Sequence, residues 1–296
     1  MGMGKDLAAQ IPAIAALIQR ADEILGRPLS SIMFEGPDEE LTRTVNCQPA
    51  LFVHGMACLE ALRGEIGDFP IHAAAGLSLG EFTAHTAAGT FDFETGLLLV
   101  ARRAELMQEA CETTEGGMAA LIGAEENVAR DLAGETDVDV ANLNCPGQVV
   151  LSGETSKVAL AVSLAKEHGI RRAMMLNVAG AYHSRLMKSA WEQLGDTLAA
   201  TPVNGQRFPV VCNLDAIPVS GADRIRYTLQ EQVTGTVRWT ESVEYLIDHE
   251  KIDQFIEFGP GGVIAGLVNR TRQGFPVVSV TDWATLQQAK AALQSA

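Results

Sequence analysis

"HAAAGLSLGEFTAHTAAG", residues 72–89, runs small apolar residues into Gly76-Leu77-Ser78-Leu79-Gly80 and then into a helix-forming stretch. A serine framed in G-x-S-x-G between a strand and a helix is the pattern of a nucleophile elbow. There the chain reverses so tightly that side chains on either side would collide, and glycine removes the colliding Cβ atoms. An ordinary Gly-Ser turn has the same letters, so the surroundings decide. "PIHAAAG" (70–76) predicts a short buried strand, residues 79–88 a helix, and 93–111 a second helix. Strand, turn and helix therefore come in the order the motif needs.

The chain has 296 residues, 47% of them hydrophobic, enough for one large domain or one domain carrying an insertion. With 22 Lys plus Arg against 37 Asp plus Glu, the net charge is −15, which disfavours nucleic acid as a partner. The five cysteines (Cys47, Cys58, Cys111, Cys145, Cys212) are scattered and never spaced C-x-x-C, so neither a disulfide framework nor a zinc site is expected. Apolar runs are short, and the amphipathic start "MGMGKDLAAQIPAIAALIQ" lacks the basic start and apolar core of a signal peptide. The expected location is the cytoplasm.

Residues 5–25 predict one amphipathic helix, and 46–64 a buried one with Asn46 as its cap. From Gly116 the texture changes. "GMAALIG", "VDVANLN", "QVVLSG" and "IRRAMMLNV" read as strands, with "EENVARDLAG" and "SKVALAVSLAKEHG" as helices. This β-α-β-β-α-β order is the split βαβ, ferredoxin-like arrangement. It predicts a small domain over 116–181, inserted into a larger α/β domain made of 1–115 and 182–296. In the larger domain, "PVVCNL", "DQFIEF" and "PVVSV" alternate with helices near 184–199, 222–233, 239–249 and 262–272, which predicts a mostly parallel sheet. "GPGG" at 259–262 lacks the Lys-Ser/Thr of a phosphate loop and reads as a tight turn.

A serine hydroxyl needs a base. Of the six histidines, His85 lies two turns beyond Ser78 and points away, and His168 sits in the helix-ending turn "KEHG". His183, in "NVAGAYHSRLM", occupies a small-residue loop that opens a helix, where a ring can enter a cleft between domains. Arg102 and Arg103 stand in an apolar helix, and Arg103 is the inward one, i+3 from Val100 and i−3 and i−4 from Leu106 and Met107. A buried arginine fork suits an acyl group that carries a free carboxylate. No metal-ligand cluster appears, and no cofactor is called for.

The chain resembles the malonyl-CoA:acyl carrier protein transacylases, the acyltransferase family of fatty acid and polyketide synthesis. The likeness runs in order through "GLSLGEFTAH", "RRAELMQEA", "GGMAALIG", "ANLNCPGQVVLSG", "GAYHSRLM", "EQVTGTVRWTESVEYL" and "EFGPGGVIAGL". It implies an α/β-hydrolase-like core with a ferredoxin-like insert. It implies Ser78 as nucleophile, His183 as its base, and Gln232 as the residue whose backbone carbonyl orients the histidine. Arg103 then binds the malonyl carboxylate, Asn144 lines the site near the base, and the Leu79 N–H is an oxyanion donor. Malonyl-CoA and an acyl carrier protein are the implied substrates. Carrier proteins of this family are acidic, so docking calls for a local basic patch, for which Lys166, Arg171, Arg172, Arg185 and Lys188 are the candidates.

Two departures stand out. Leu77 occupies a position that is usually histidine in the family. Members also carry a strand and a "GQGSQ"-like loop ahead of "GMG", where this sequence reads "MGMG". From that, the sheet is expected to lack one strand and the oxyanion hole its second N–H. Ping-pong malonyl transfer is the leading expectation. A degenerate acyltransferase that only docks a partner, and a serine esterase with an acid on its histidine, are the alternatives.

Overall fold

The helix Thr44–Ile66 is apolar on nearly every face, with Phe52, Val53, Ala57, Cys58 and Leu62 all buried. A helix hydrophobic all round has to be enclosed by others, and in this computed structural model, which describes residues 1–294, it forms the spine of the large core. The helix Phe93–Thr113 packs along it, started by Asp92, whose carboxylate accepts the Thr95 N–H at 2.7 Å. Close approach depends on Gly96. A Cβ there would lie 2.2 Å from Thr86 Oγ1 and 2.9 Å from the Phe52 ring. The inner face of this helix then carries Val100, Arg103, Leu106 and Met107 into the core.

Local chemistry changes two of the expected elements. The N-terminal helix is broken into Lys5–Gln10 and Pro12–Leu25, because Pro12 has no N–H to continue the first and suits the opening position of the second. Asn46 does not cap the spine helix. Arg43 precedes its first residue, while the Asn46 amide donates to the Glu40 carbonyl and accepts from Arg27.

Strands β2 (Gly116–Ile122), β3 (Asp139–Cys145), β4 (Gln148–Glu154) and β5 (Arg172–Met175) form an antiparallel sheet in the order β3-β4-β2-β5. Two helices, Glu126–Thr136 and Thr155–Leu164, cover it, and Leu121, Leu132, Val140, Leu151 and Val158 make a core of its own.

Among the described residues the mostly parallel sheet expected for the rest of the chain is present as two fragments. Strand β1 (Ala74–Ala75) pairs in parallel with β6 (Val210–Val211), which turns back antiparallel onto β7 (Pro218–Val219). Strands β8 (Phe255–Phe258) and β9 (Val277–Val280) form a separate parallel pair. The 70–76 segment ladders at only two residues because its partner β6 has two, after which Cys212 enters a turn closed by the Ala216 N–H. The segment after Gln232 ties the two parts of the molecule together: Val237 exchanges backbone hydrogen bonds with Ala141 and Leu143 of β3. Among the described residues no helix is long and apolar enough to cross a membrane.

Gly96→Ala is expected to destabilise the fold by about 1–3 kcal/mol, the usual range for overpacking a filled core. Denaturant unfolding measures it, and an unchanged midpoint would show that the two helices can separate without cost.

Candidate active site

Ser78 sits between β1 and the helix Leu79–Ala87, with φ 55° and ψ −112°. Such a backbone is strained for a residue with a side chain. Gly76 makes it possible, since a Cβ at position 76 would fall 2.0 Å from the Gly80 carbonyl group. Asn213, just after β6, brackets the turn: its Oδ1 accepts the Ser78 N–H at 2.6 Å and its Nδ2 donates to the Gly76 carbonyl at 2.8 Å. The Leu79 N–H, at the first position of the helix, has no acceptor among the described residues.

His183 is brought to the serine from a loop beyond the small sheet. Its Nδ1 lies 2.7 Å from the backbone carbonyl of Gln232 and its Nε2 2.8 Å from Ser78 Oγ. A carbonyl can only accept, so Nδ1 carries the proton and Nε2 is left free to accept the serine O–H. Burial, and then the charge of Arg103, push the imidazole down to about 4. Among the described residues no carboxylate meets the ring, which is the acid a serine esterase would be expected to place there.

Arg103 is 1% exposed. Its guanidinium donates to Ser78 Oγ at 2.9 Å and to Gln232 Oε1 at 3.0 Å, and also to Gln48 Oε1. The ring of Phe82 stacks below it at 5.6 Å. Burial lowers its pKa to about 10, with Glu81 opposing, so it stays charged at neutral pH. Among the described residues it makes no ion pair within 4.0 Å, and its buried Nε–H has no acceptor. By contrast, Arg102 lies at the surface and reaches Glu105 and Gln193.

The structure thus brings Ser78, Leu79, Arg103, His183 and Gln232 together. Asn144 stays apart. It makes no hydrogen bond to any of them, and its buried Oδ1 is unpartnered. His85 turns to Thr90, and His168 to Glu135.

Three residues of the site were missed in the sequence: Gln48, Glu81 and Asn213. Glu81 had a signal, because Ser78-x-x-Glu81 has capping-box spacing. Here its carboxylate does not return to the Ser78 N–H. Instead Oε2 accepts the Asn213 N–H at 2.9 Å and Gln232 Nε2 at 2.7 Å. Gln48 stands out only as an amide within an apolar helix, and Asn213 as a polar residue ending a strand.

A serine–histidine pair with a buried cation beside it, set on a mixed α/β fold, suits acyl-transfer chemistry. The chain belongs to the acyl transferase domain family, which matches residues 1–285. It is 42% identical to the malonyl CoA-acyl carrier protein transacylase of Bacillus subtilis, over 98% of this chain and 92% of that one. An acyl-carrier-protein S-malonyltransferase from Burkholderia pseudomallei has the same fold, with TM-score 0.93, 36% identity, and 98% of this chain and 95% of that one covered. So has a malonyl-transacylase solved in complex with a type II polyketide synthase acyl-carrier protein, with TM-score 0.92, 35% identity, and 99% and 95% covered.

The buried titratable groups set the pH dependence of stability. His183 is pushed to about 4 and His85 to about 3, and His54 is lowered too, all chiefly by burial. Between pH 6.5 and 5 the unfolded chain takes up protons at these three side chains that the folded chain refuses, so stability falls as pH falls. Glu81 acts in the opposite sense. Burial raises it to about 7, so over the same window the folded chain holds a proton that the unfolded chain has released. The expected net result is a melting temperature that drops from pH 6.5 to 5, and drops more steeply in Glu81→Gln, which lacks the opposing proton. Parallel slopes for the two proteins would show that Glu81 does not titrate in this window.

Proposed function

We propose that the chain moves a malonyl group from malonyl-CoA to Ser78 and then to the phosphopantetheine thiol of an acyl carrier protein. The carrying observation is the Arg103 guanidinium, buried without an ion pair and 2.9 Å from Ser78 Oγ. A desolvated cation at the nucleophile calls for an acyl group with its own carboxylate, which the planar arginine fork can hold by two parallel hydrogen bonds.

In this reading His183 Nε2 takes the proton as Ser78 Oγ attacks the thioester carbonyl. The Gln232 carbonyl keeps the ring in the tautomer that can do so, and the unclaimed Leu79 N–H faces the charge that develops on the carbonyl oxygen. His183 then returns its proton to the departing CoA sulfur, which leaves the malonyl ester on Ser78. The carrier thiol repeats the sequence in reverse, giving up its proton to His183 while serine leaves. Each half uses the same groups, so the mechanism is ping-pong.

The architecture we propose for this is an α/β-hydrolase-like core, residues 1–115 and 182–296, of which 295 and 296 lie outside the described residues, with a ferredoxin-like insert over 116–181. For the carrier we propose the exposed basic residues near β5. Lys166, Arg171 and Arg172 make no ion pair among the described residues. Arg172 leads into Met174 and Met175, each 40% exposed, so charge and apolar surface lie side by side. Two members contribute less than their charge suggests. Arg185 is held by Asp137 at 2.7 Å and Asp139 at 2.8 Å, and Lys188 lies 4.0 Å from Glu192.

Intact-mass measurement after mixing with malonyl-CoA tests the chemistry. A malonyl adduct is expected on the native chain and none on Ser78→Ala. Arg103→Ala should slow malonyl loading by about a hundredfold or more, the worth of a charge-assisted bidentate contact, and acetyl loading far less. Equal losses for both acyl groups would make Arg103 a structural residue.

Charge reversal at Arg171 and Arg172 should raise the KM for carrier protein and leave that for malonyl-CoA unchanged. Equal changes for both substrates, or none, would place the docking surface elsewhere.

A further inference from the structure

The position of Glu81 has a use that the steps above do not assign. It lies on the helix after the nucleophile, 0% exposed, with Oε1 buried and unpartnered. Its other oxygen takes both the Asn213 N–H and Gln232 Nε2. Each of these two neighbours reaches the reacting groups by a different route. Asn213 holds the Ser78 N–H and the Gly76 carbonyl, and so holds the turn. Gln232 gives its backbone carbonyl to His183 Nδ1, its Nε2 to the Ser78 carbonyl, and its Oε1 to the Arg103 guanidinium.

A glutamine amide is nearly the same shape either way round, so its neighbours decide its orientation. Arg103 offers only donors. Oε2 of Glu81, which already accepts the Asn213 N–H, faces the amide as an acceptor whether or not Oε1 carries a proton, and Nε2 turns to meet it. With Nε2 turned towards Glu81, Oε1 faces the guanidinium. Were the amide reversed, its NH₂ would meet the N–H groups of Arg103, and the arginine would be pushed from Ser78. The charged groups facing this carboxyl are Arg103 from the helix Phe93–Thr113 and Asp215 from the loop after β6. Arg103, the cation among them, is reached only through the Gln232 amide.

We propose that Glu81 is a positioning residue for acyl transfer: it fixes the amide orientation of Gln232, and thereby holds the Arg103 fork in the place where it selects a carboxylate-bearing acyl group. This rests on the malonyl-transfer reading above.

The test measures single-turnover acylation of Ser78 by malonyl-CoA and by acetyl-CoA in the native chain and three variants, each assayed well below its own melting temperature. Glu81→Met removes the acceptor. Malonyl acylation should fall about a hundredfold, the scale of a misplacement of order 1 Å, and the malonyl-over-acetyl preference at least about tenfold. Glu81→Gln should keep both within about threefold, because the Asn213 N–H draws its oxygen into the place of Oε2. Glu81→Asp, the milder change should the methionine variant fail to fold, withdraws the carboxylate by one methylene and should also erode the preference. A rate loss equal for both acyl groups in Glu81→Met, or in Glu81→Asp if only that variant folds, would overturn the proposal. So would failure of Glu81→Gln to restore the preference. If the native chain itself forms no Ser78 adduct, the malonyl-transfer reading fails first, a result distinguishable from an active native enzyme whose preference ignores Glu81.

Discussion

A guanidinium taken out of water has to find its hydrogen-bond partners inside the protein, and Arg103 organises its surroundings accordingly. Two amide oxygens and one hydroxyl oxygen receive its N–H groups, from Gln48, Gln232 and Ser78. None of these carries a charge, so the cation is solvated without being neutralised. That arrangement is costly for folding and useful for chemistry. It leaves an electrostatic demand next to Ser78 that an anionic group can meet. Glu81 lies one amide away, near enough to temper the field and too far to cancel it by contact.

The strain at Ser78 has its own supports. Both Ser78 and His183 adopt positive φ, at 55° and 56°. Conformations of this kind persist only when surrounding contacts over-determine them. At Ser78 those contacts are the two Asn213 hydrogen bonds and the space left by Gly76. Near His183 the following residues are tied down as well, since Asp139 of β3 binds both the backbone N–H and the guanidinium of Arg185. His183 is thus referenced to the small sheet on one side and to Gln232 on the other. Because Val237, five residues past Gln232, also pairs with β3, the sheet and the site are mechanically linked.

Much of the site was legible beforehand because its chemistry is local. G-x-S-x-G demands a tight turn wherever it falls, so Ser78 and the Leu79 N–H follow from four neighbouring residues. Arg103 was legible from helical periodicity, since a charge in step with Val100, Leu106 and Met107 has to point inward. The same periodicity marked the spine helix and the paired strands and helices of the small sheet. What failed locally failed for local reasons of another kind: Pro12 split one helix, and Arg27 and the Glu40 carbonyl drew Asn46 away from a cap.

By itself, then, the sequence determined most of the elements and the tight turn at Ser78, because hydrophobic period, glycine placement and proline act over a few residues. Only the tertiary structure decided who meets whom. Gln48, Glu81 and Asn213 come from three separate segments, and each is an ordinary polar residue in its own neighbourhood. Their roles arise from burial, which makes an unpaired donor costly, and no spacing along the chain records which acceptor will meet it. The same holds for the sheet. Residues 70–76 read as a strand, yet how much of that segment ladders depended on a partner more than a hundred residues away, and Val210–Val211 supplied only two positions.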